Sequence, residues 1–224
     1  MKNIAFIGIG LMGAPMAKNL LKSKYKLKVF NRTKKKALQL KKNGAVVCDS
    51  IKDAVFGQDV IITMLSDDKA VKRICKSAEF IKNIKKSSTV IDMSSTSPRT
   101  AQEISKLLKK YNINFLDAPV SGGTNGAENA ELAIMVGGEK KIFLKNLKLL
   151  KQLGNPVLVG KNSAGQTAKL ANQIIVGITI GSVAEAIKLC QKNNVNPLNV
   201  LTCLLYTSPS PRDLSTSRMP SSAW

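Results

Sequence analysis

The first 160 residues alternate short apolar runs with longer amphipathic stretches. Eight runs have the length and apolar content of β-strands: NIAFIGIG (3–10), LKVFNR (27–32), AVVCD (45–49), DVIITML (59–65), STVIDMSS (88–95), INFLDAPV (113–120), ELAIMVGG (131–138) and NPVLVG (155–160). Stretches between them, such as 13–23, 34–44, 99–111 and 139–154, carry apolar residues at helical spacing. Strands and helices that alternate in this way predict an α/β fold with a doubly wound, mostly parallel sheet.

The pattern changes after Gly160. Residues 165–193 form one long helical stretch, ~40 Å at the rise of an α-helix, and Asn196-Pro197 begins another helix. We therefore divide the chain into an α/β domain at 1–163 and a helical segment at 164–203. The last stretch, 204–224, is rich in Ser and Pro and contains no Lys, Ile or Asn, so we expect it to be disordered and foreign to the protein.

The composition excludes several classes of protein. The net charge is +21, but the lysines are spread along the chain and aromatic residues make up only 4% of it, so we expect no specific nucleic-acid partner. A general bias of composition towards Lys, Ile and Asn explains the same charge. The four cysteines lie far apart, which fits neither a metal site nor a disulfide framework and favours a reducing compartment.

The apolar stretches predict no segment that enters a membrane. The N-terminus has glycines where a signal peptide would have a hydrophobic stretch. The later run IIVGITIGSVAEAI is cut by Glu185 and falls short of the ~18 residues that a membrane span needs. We therefore expect a soluble, cytoplasmic protein without a membrane partner.

A glycine-rich motif follows the first predicted strand. Gly8, Gly10 and Gly13, with Leu11 and Met12 between them, match G-x-G-x-x-G, and the motif opens a helix, as the dinucleotide-binding turn of a Rossmann domain requires. Such glycines let a pyrophosphate approach backbone N–H groups at the helix N-terminus. A glycine-rich turn without a ligand is the alternative. The motif predicts a Rossmann-type domain that binds a dinucleotide.

The end of the second strand indicates which dinucleotide. An NAD-binding domain places an acid there for the ribose hydroxyl, but this chain has Asn31, Arg32 and Thr33, followed by three lysines. These cations suit the 2′-phosphate of NADP, so NADP is preferred over NAD. A solvated Arg32 without a ligand is the alternative.

Several classes of dehydrogenase are excluded by residues that the chain lacks. It has no histidine, which excludes the histidine-based lactate and malate type. None of Tyr25, Tyr111 and Tyr206 has a lysine four residues later, which excludes the Tyr-x-x-x-Lys arrangement. The cysteine spacing disfavours a zinc alcohol dehydrogenase. The proton donor must therefore be another group.

Three motifs in order, GIGLMGAPMAKNL (8–20), DAPVSGG (117–123) and GQTAKLANQ (165–173), resemble those of the β-hydroxyacid dehydrogenase family over residues 1 to about 201. The resemblance implies that Lys169 is the catalytic acid/base, with Asn172 beside it. It also implies a substrate loop and further cofactor contacts, at Ser121, Gly122, Gly123, Met64, Leu65 and Thr96. Asn172-Gln173 is more similar to the tartronate semialdehyde reductases than to many 3-hydroxyisobutyrate enzymes, which commonly have Asn-Asn.

Physical reasoning about these residues leads in the same direction. Lys169, Asn172 and Gln173 share one face of the predicted helix. A lysine in an apolar cleft loses hydration, which lowers its pKa and makes proton transfer near neutral pH easier. Ser121 with two glycines exposes a hydroxyl and backbone donors to a substrate carboxylate. A lysine whose stem packs on the core, and a plain glycine turn, are the alternatives.

The family resemblance also bears on the end of the chain. Family members continue into an all-α domain that closes over the nicotinamide and usually builds a homo-oligomer. Here that domain begins with the long helix and is incomplete, so we expect a truncated protein whose apolar residues between 174 and 189 are exposed. The expected activity is that of an NADP-dependent oxidoreductase of a small hydroxyacid. A non-catalytic NADP-binding module is the alternative from another class.

Overall fold

A computed structural model describes residues 2–205, and contacts divide the chain into two compact units after Asn172. The predicted boundary at residue 163 coincides with the start of the long helix, whereas the contacts group residues up to 172 with the sheet. Most of the predicted tail, residues 206–224, lies outside the described residues. Its first two residues, Leu204 and Leu205, belong to a helix.

The described part of the first unit contains one nine-stranded sheet. The strands are β1 (Asn3–Ile7), β2 (Lys26–Phe30), β3 (Val46–Val47), β4 (Val60–Thr63), β5 (Thr89–Asp92), β6 (Asn114–Asp117), β7 (Val120–Ser121), β8 (Leu132–Gly137) and β9 (Gly154–Gly160). The helices are α1 (Gly13–Lys22), α2 (Lys34–Leu38), α3 (Ile51–Val55), α4 (Asp68–Cys75), α5 (Ala78–Asn83), α6 (Pro98–Lys110), α7 (Gly123–Asn129), α8 (Lys140–Leu150) and α9 (Ala164–Lys192), and α9 continues into the second unit.

The order of the strands is that of a doubly wound sheet. It runs β3-β2-β1-β4-β5-β6-β8-β7, and β9 pairs with β8. The strands from β3 to β6 are all parallel, whereas β6 and β7 pair with β8 antiparallel. The strand order reverses between β1 and β4, and such a reversal opens a crevice at the carboxyl ends of the strands. The predicted Rossmann-type, mostly parallel sheet followed by a long helix is confirmed.

The core forms two layers, one on each face of the sheet. Ile4 and Phe6 of β1 belong to one buried cluster, and Ala5 and Ile7 belong to the other, as the alternation of side chains along a strand requires. Helix α1 packs on the first cluster and α6 on the second. Burial of both faces explains why the strands are continuous apolar runs.

Two predicted elements differ from the structure. The predicted helix 34–44 shortens to α2 and a 3₁₀ turn at Lys41–Asn43. Three lysines stand at the start of α2, where the helix dipole disfavours cations. The predicted strand 113–120 divides into β6 and β7, because Pro119 interrupts the ladder and the chain turns to pair with β8 antiparallel.

The second unit begins with the remainder of α9, from Gln173, and continues with α10 (Pro197–Leu205). Its large apolar side chains are exposed as expected, among them Ile174, Ile175, Ile178, Ile180 and Leu189. By length and composition α9 could cross a membrane, with a mean hydropathy of 1.5, so the expectation that no segment reaches this length is wrong. A single helix of this kind is weak evidence of a membrane.

Candidate functional site

In the glycine-rich turn between β1 and α1, packing leaves no room for a side chain at two of the glycines, whereas the third has free space around it. Gly8 has a φ of +104°, and a Cβ there would lie 2.1 Å from the Met64 carbonyl oxygen. A Cβ on Gly13 would lie 2.0 Å from the Gly8 carbonyl oxygen. A Cβ on Gly10 would have no neighbour within 4 Å. Gly10 is therefore the position at which a ligand could approach the backbone closely.

The amide of Asn31 holds this turn against the end of β2. Its Oδ1 accepts a hydrogen bond of 2.9 Å from Ile9 N–H, and its Nδ2 donates one of 2.9 Å to the Thr33 carbonyl. Asn31 thus fixes the glycine-rich turn and the start of the α2 segment together. The sequence predicted a cofactor contact at Asn31, and the structure adds a role in shaping the turn.

A cavity of about 240 Å³ lies beside the turn, at the reversal of strand order. Seven of the predicted cofactor residues line it: Gly8, Gly10, Asn31, Arg32, Thr33, Met64 and Leu65. Seven other residues complete the lining: Ile7, Phe30, Lys36, Ser66, Ala70, Arg73 and Ile74. Leu11 instead lines an adjoining cavity of about 500 Å³, which shares Gly10 and Lys36 with the first, while Met12, Gly13 and Thr96 line neither of these two.

Sequence reasoning missed two cations of this cavity, Lys36 and Arg73. Lys36 belongs to the run of three lysines after Thr33, so its neighbourhood was indicated but its orientation was not. Arg73 lies on α4, about forty residues beyond Arg32, and no local pattern links the two. With Arg32 they make the lining cationic, and the described residues that line the cavity include no carboxylate.

Thr96 follows β5, and its side chain is buried without a partner. Its Oγ1 has no hydrogen-bond partner among the described residues, although its backbone N–H donates to Gln166 Oε1 at 3.0 Å. A buried hydroxyl without a partner is costly, which suits a position that meets a polar group of a ligand. The open Gly10 and the cationic cavity fit the expected dinucleotide, whereas the predicted cofactor contact of Thr96, which lines neither cavity, stays a prediction.

The predicted catalytic residues lie on the first turns of α9, within the first unit. Lys169 is partly buried, and this burial lowers the pKa of its ammonium group. Asn172, one turn further along the helix, donates a hydrogen bond of 3.3 Å from Nδ2 to Ser121 Oγ. The structure therefore joins the lysine-bearing helix to the predicted substrate loop.

Gly122 and Gly123 shape that loop. Both have positive φ angles, +133° and +62°, and both are exposed. Side chains would be strained in these conformations. The backbone beside Ser121 is thus accessible, as recognition of a carboxylate by N–H groups requires.

Two further buried residues belong to the same motifs, but their residue types and spacing do not mark them as functional. Asp117 opens DAPVSGG and Gln166 is the second residue of GQTAKLANQ, and the relative exposure of both is 0%. Their partners lie on other strands and loops, so sequence spacing could not identify them.

Comparison with known proteins identifies the same domain. Residues 3–169 match the NAD binding domain of 6-phosphogluconate dehydrogenase. The chain is 39% identical to the uncharacterised oxidoreductase YkwC of Bacillus subtilis over 202 residues, which cover 89% of the chain and 70% of the relative. It is 36% identical to 2-hydroxy-3-oxopropionate reductase of Escherichia coli over 218 residues, which cover 94% and 73% respectively.

A solved structure of 3-hydroxyisobutyrate dehydrogenase from Mycobacterium tuberculosis, with L-serine, superposes with a TM-score of 0.83 at 33% identity. The match covers 88% of this chain and 67% of that one. Across curated relatives such as the two above, the chain spans 62 to 73% of their length. The named enzymes among these relatives are oxidoreductases that act on small hydroxyacids. By its domain match, its sequence identity and its fold, the chain belongs to the β-hydroxyacid dehydrogenase family.

Proposed function

We propose that the protein is an NADP-dependent oxidoreductase that interconverts a small hydroxyacid and its aldehyde or ketone. The observation that carries the proposal is the hydrogen bond between Asn172 and Ser121, which ties the helix that bears Lys169 to the glycine loop. The partly buried Lys169 lies one turn before Asn172 on the same helix, at the end of a dinucleotide-binding domain. This set can hold a carboxylate, orient an oxygen and move a proton.

In the proposed reaction, Lys169, Asn172 and Ser121 each have a distinct role. A nicotinamide dinucleotide held by the glycine-rich turn and the cationic cavity would supply the hydride for reduction and accept it in oxidation. Lys169 Nζ donates the proton that the carbonyl oxygen takes up in reduction, and recovers it in oxidation. Asn172 holds that oxygen without adding charge, while Ser121 and the backbone of the glycine loop hold the substrate carboxylate. Burial favours the neutral amine of Lys169, which makes proton transfer near neutral pH easier.

The preference for NADP over NAD rests on charge. Arg32, Lys36 and Arg73 line the cavity at the end of β2, and no carboxylate accompanies them in the described lining. A 2′-phosphate gains charge-assisted hydrogen bonds from such cations. A ribose 2′-hydroxyl instead needs an acceptor such as an aspartate, which the lining lacks.

Tartronate semialdehyde (2-hydroxy-3-oxopropionate) is the leading substrate of the proposal. The pair Asn172-Gln173 supports it, as does the resemblance to the Escherichia coli reductase. 3-Hydroxyisobutyrate is the next candidate, because relatives of similar identity carry that name. Glyoxylate and succinic semialdehyde follow. The resemblance further leads us to propose a cytoplasmic protein whose full-length form is a homo-oligomer.

A non-catalytic NADP-binding module is the candidate from another class. It would use the cavity of the first unit in the same way but would not need a lysine of lowered pKa beside Asn172. NADPH binding without turnover of any semialdehyde, together with salt-sensitive DNA binding, would favour it.

The test is a panel of semialdehydes and hydroxyacids, each assayed with NADPH or NADP⁺ and with the NAD forms. Lys169→Ala is compared with Lys188→Ala, which removes an exposed lysine from the same helix. We expect Lys169→Ala to cut turnover by about a hundredfold or more while NADPH affinity stays nearly intact, and Lys188→Ala to resemble the parent. Turnover within a few-fold of the parent in Lys169→Ala would refute the role of Lys169.

A further inference from the structure

The side chain of Gln166 clamps the first turn of α9 to the loop after β5. Its Oε1 accepts a hydrogen bond of 3.0 Å from Thr96 N–H, and its Nε2 donates one of 2.8 Å to the Ser94 carbonyl. The side chain is fully buried, so water cannot replace either bond. The amide satisfies one backbone donor and one backbone acceptor at once, as a neighbouring strand would.

Asp117 holds the same turn from the other side. Its Oδ1 accepts a hydrogen bond of 2.8 Å from Ser163 N–H, and its Oδ2 accepts one of 3.1 Å from Gln166 N–H. Asp117 therefore acts as an N-cap of α9 that comes from β6 rather than from the residue before the helix. Burial raises the pKa of Asp117, and the bonds from the two backbone N–H groups act in the opposite direction.

Two glycines let the helix start lie directly against the sheet. A Cβ on Gly165 would lie 2.4 Å from the Met135 carbonyl oxygen and 2.6 Å from that of Asp117. A Cβ on Gly137 would lie 2.6 Å from Asp117 Oδ1. Neither contact leaves room for a methyl group, so the first turn of α9 lies directly against the sheet, where the side chains of Asp117 and Gln166 can reach it.

The network continues into the loop that lines the dinucleotide cavity. Ser94 Oγ accepts a hydrogen bond of 2.9 Å from Leu65 N–H, and Ser94 N–H donates one of 3.2 Å to Asp92 Oδ1. Leu65 is part of the cavity lining. A continuous chain of hydrogen bonds thus links the cavity, the loop 94–96 and the first turn of α9.

We propose that Gln166 and Asp117 are positioning residues that fix Lys169 relative to the loop 94–96. Lys169 lies three residues after Gln166, so it is a neighbour on the helix surface and moves with that turn. The inference rests on the proposed role of Lys169 as the proton donor. Neither positioning residue needs to touch substrate or cofactor.

The test uses Gln166→Ala, with Gln102→Ala as the matched control. Gln102 Nε2 also bonds to the start of α9, donating to Ser163 Oγ at 3.2 Å, but this bond is exposed and does not reach the loop 94–96. Asp117→Asn tests the second residue. Thermal unfolding shows which variants are folded under the assay conditions.

Two readouts distinguish positioning from a merely structural role. The first is the split between kcat and NADPH affinity: we expect Gln166→Ala to lower kcat by about tenfold to a hundredfold, with Kd for NADPH within about threefold of the parent. The second is the pH dependence of acylation of the Lys169 amine, measured by mass spectrometry. A displaced lysine becomes more solvated, so we expect its pKa to rise in Gln166→Ala and in Asp117→Asn, and not in Gln102→Ala.

The second readout needs no turnover, so it separates this proposal from the proposed function. An unchanged Lys169 titration in folded Gln166→Ala and Asp117→Asn overturns the positioning role, whatever the activity. A shifted titration supports positioning even where the parent turns over no semialdehyde, and in that case only the proposed function fails.

Discussion

Asn172 of α9 donates a hydrogen bond from Nδ2 to Ser121 Oγ at 3.3 Å, although the two residues are 51 positions apart. Ser121 ends β7, the short strand that pairs antiparallel with β8. The predicted substrate loop and the predicted catalytic helix are therefore in direct contact before any substrate is bound. We regard the pair as one preformed element of the site.

If Asn172 and Ser121 act as one element, their substitutions are not additive. We expect Asn172→Ala and Ser121→Ala each to lower kcat/KM, and the double variant to lose less than the product of the two single losses. Residues in contact typically show coupling energies of about 0.5–3 kcal/mol. A double-mutant cycle measures this, with Thr124→Ala, an exposed position in α7, as the control. Independent effects of the two changes would contradict a shared element.

The lowered pKa of Lys169 predicts one limb of the pH–rate profile and the direction in which the rate changes along it. Reduction needs the protonated ammonium, so its rate falls as the pH rises through the pKa of Lys169, while oxidation gains over the same range. Because burial lowers this pKa, the limb should lie below the ~10.4 of an ordinary lysine. The profile of kcat/KM against pH measures it. The limb should be absent from the residual activity of Lys169→Ala, and its persistence there would assign it to another group.

Substitution of Arg32 should change the choice between cofactors. Arg32→Ala removes a cation from the lining, so we expect it to weaken NADPH by ~1.5–3 kcal/mol and NADH far less. Fluorescence titration with both cofactors measures the difference. Lys35→Ala is the matched control, because this neighbouring cation is exposed and does not belong to the lining. Equal losses for NADPH and NADH would refute recognition of the 2′-phosphate by Arg32.

Substitutions of Gly8 and Gly10 should distinguish the effect of the turn on stability from its effect on cofactor binding. Gly8→Ala forces a Cβ onto the Met64 carbonyl at a positive φ, so we expect destabilisation on the order of 1–3 kcal/mol or more. Gly10→Ala meets nothing within 4 Å, so it should leave the unfolding free energy nearly unchanged and weaken NADPH. Chemical denaturation and cofactor titration of both variants give the comparison. Normal NADPH binding in Gly10→Ala would show that the ligand does not approach at that position.

Asp92 should make the stability depend on pH. Burial, with the nearby charge of Asp117, raises the pKa of Asp92 to about 6, although hydrogen bonds from Ser94 and Thr63 act in the opposite direction. The pKa of an aspartate in the unfolded chain is ~3.9. A carboxyl group whose pKa is higher than this in the folded state stabilises the folded protein at pH values below ~3.9, relative to higher pH. This contribution, on the order of 3 kcal/mol, is lost as the pH rises from about 4 to about 6.

Asp92→Asn removes this titration, because the amide keeps the shape of the carboxyl without its charge. The stability of the variant relative to the parent should therefore increase between pH 4 and pH 6. Urea denaturation at several pH values measures the difference, and Asp49→Asn, at an exposed position, is the control. The same pH dependence in Asp92→Asn and in the parent would mean that Asp92 is ionised in the folded protein throughout this range.

The sequence predicted the sheet and much of the cofactor cavity because these depend on local patterns. Apolar strands and the glycine-rich turn have fixed spacings, and Arg32 follows its strand directly. Arg73 and the clamp formed by Gln166 could not be predicted, since each depends on the packing of segments tens of residues apart. The division of the predicted strand 113–120 into β6 and β7 could have been anticipated from Pro119. The antiparallel pairing of β7 with β8 could not. The roles of Lys169, Asn172 and Ser121 remain predictions for the experiments above.

The contacts of Gly137 and Gly165 have a consequence for redesign of the site. Because close contacts at Gly165 and the buried side chains of Asp117 and Gln166 hold the start of α9, side chains that recognise the substrate can be exchanged without moving the helix start that positions the lysine. Libraries of variants at positions 121 and 172 can therefore be screened for new substrates while the position of the proton donor, Lys169, stays the same. A methyl group at either glycine has the opposite effect, since it displaces the donor for every substrate at once.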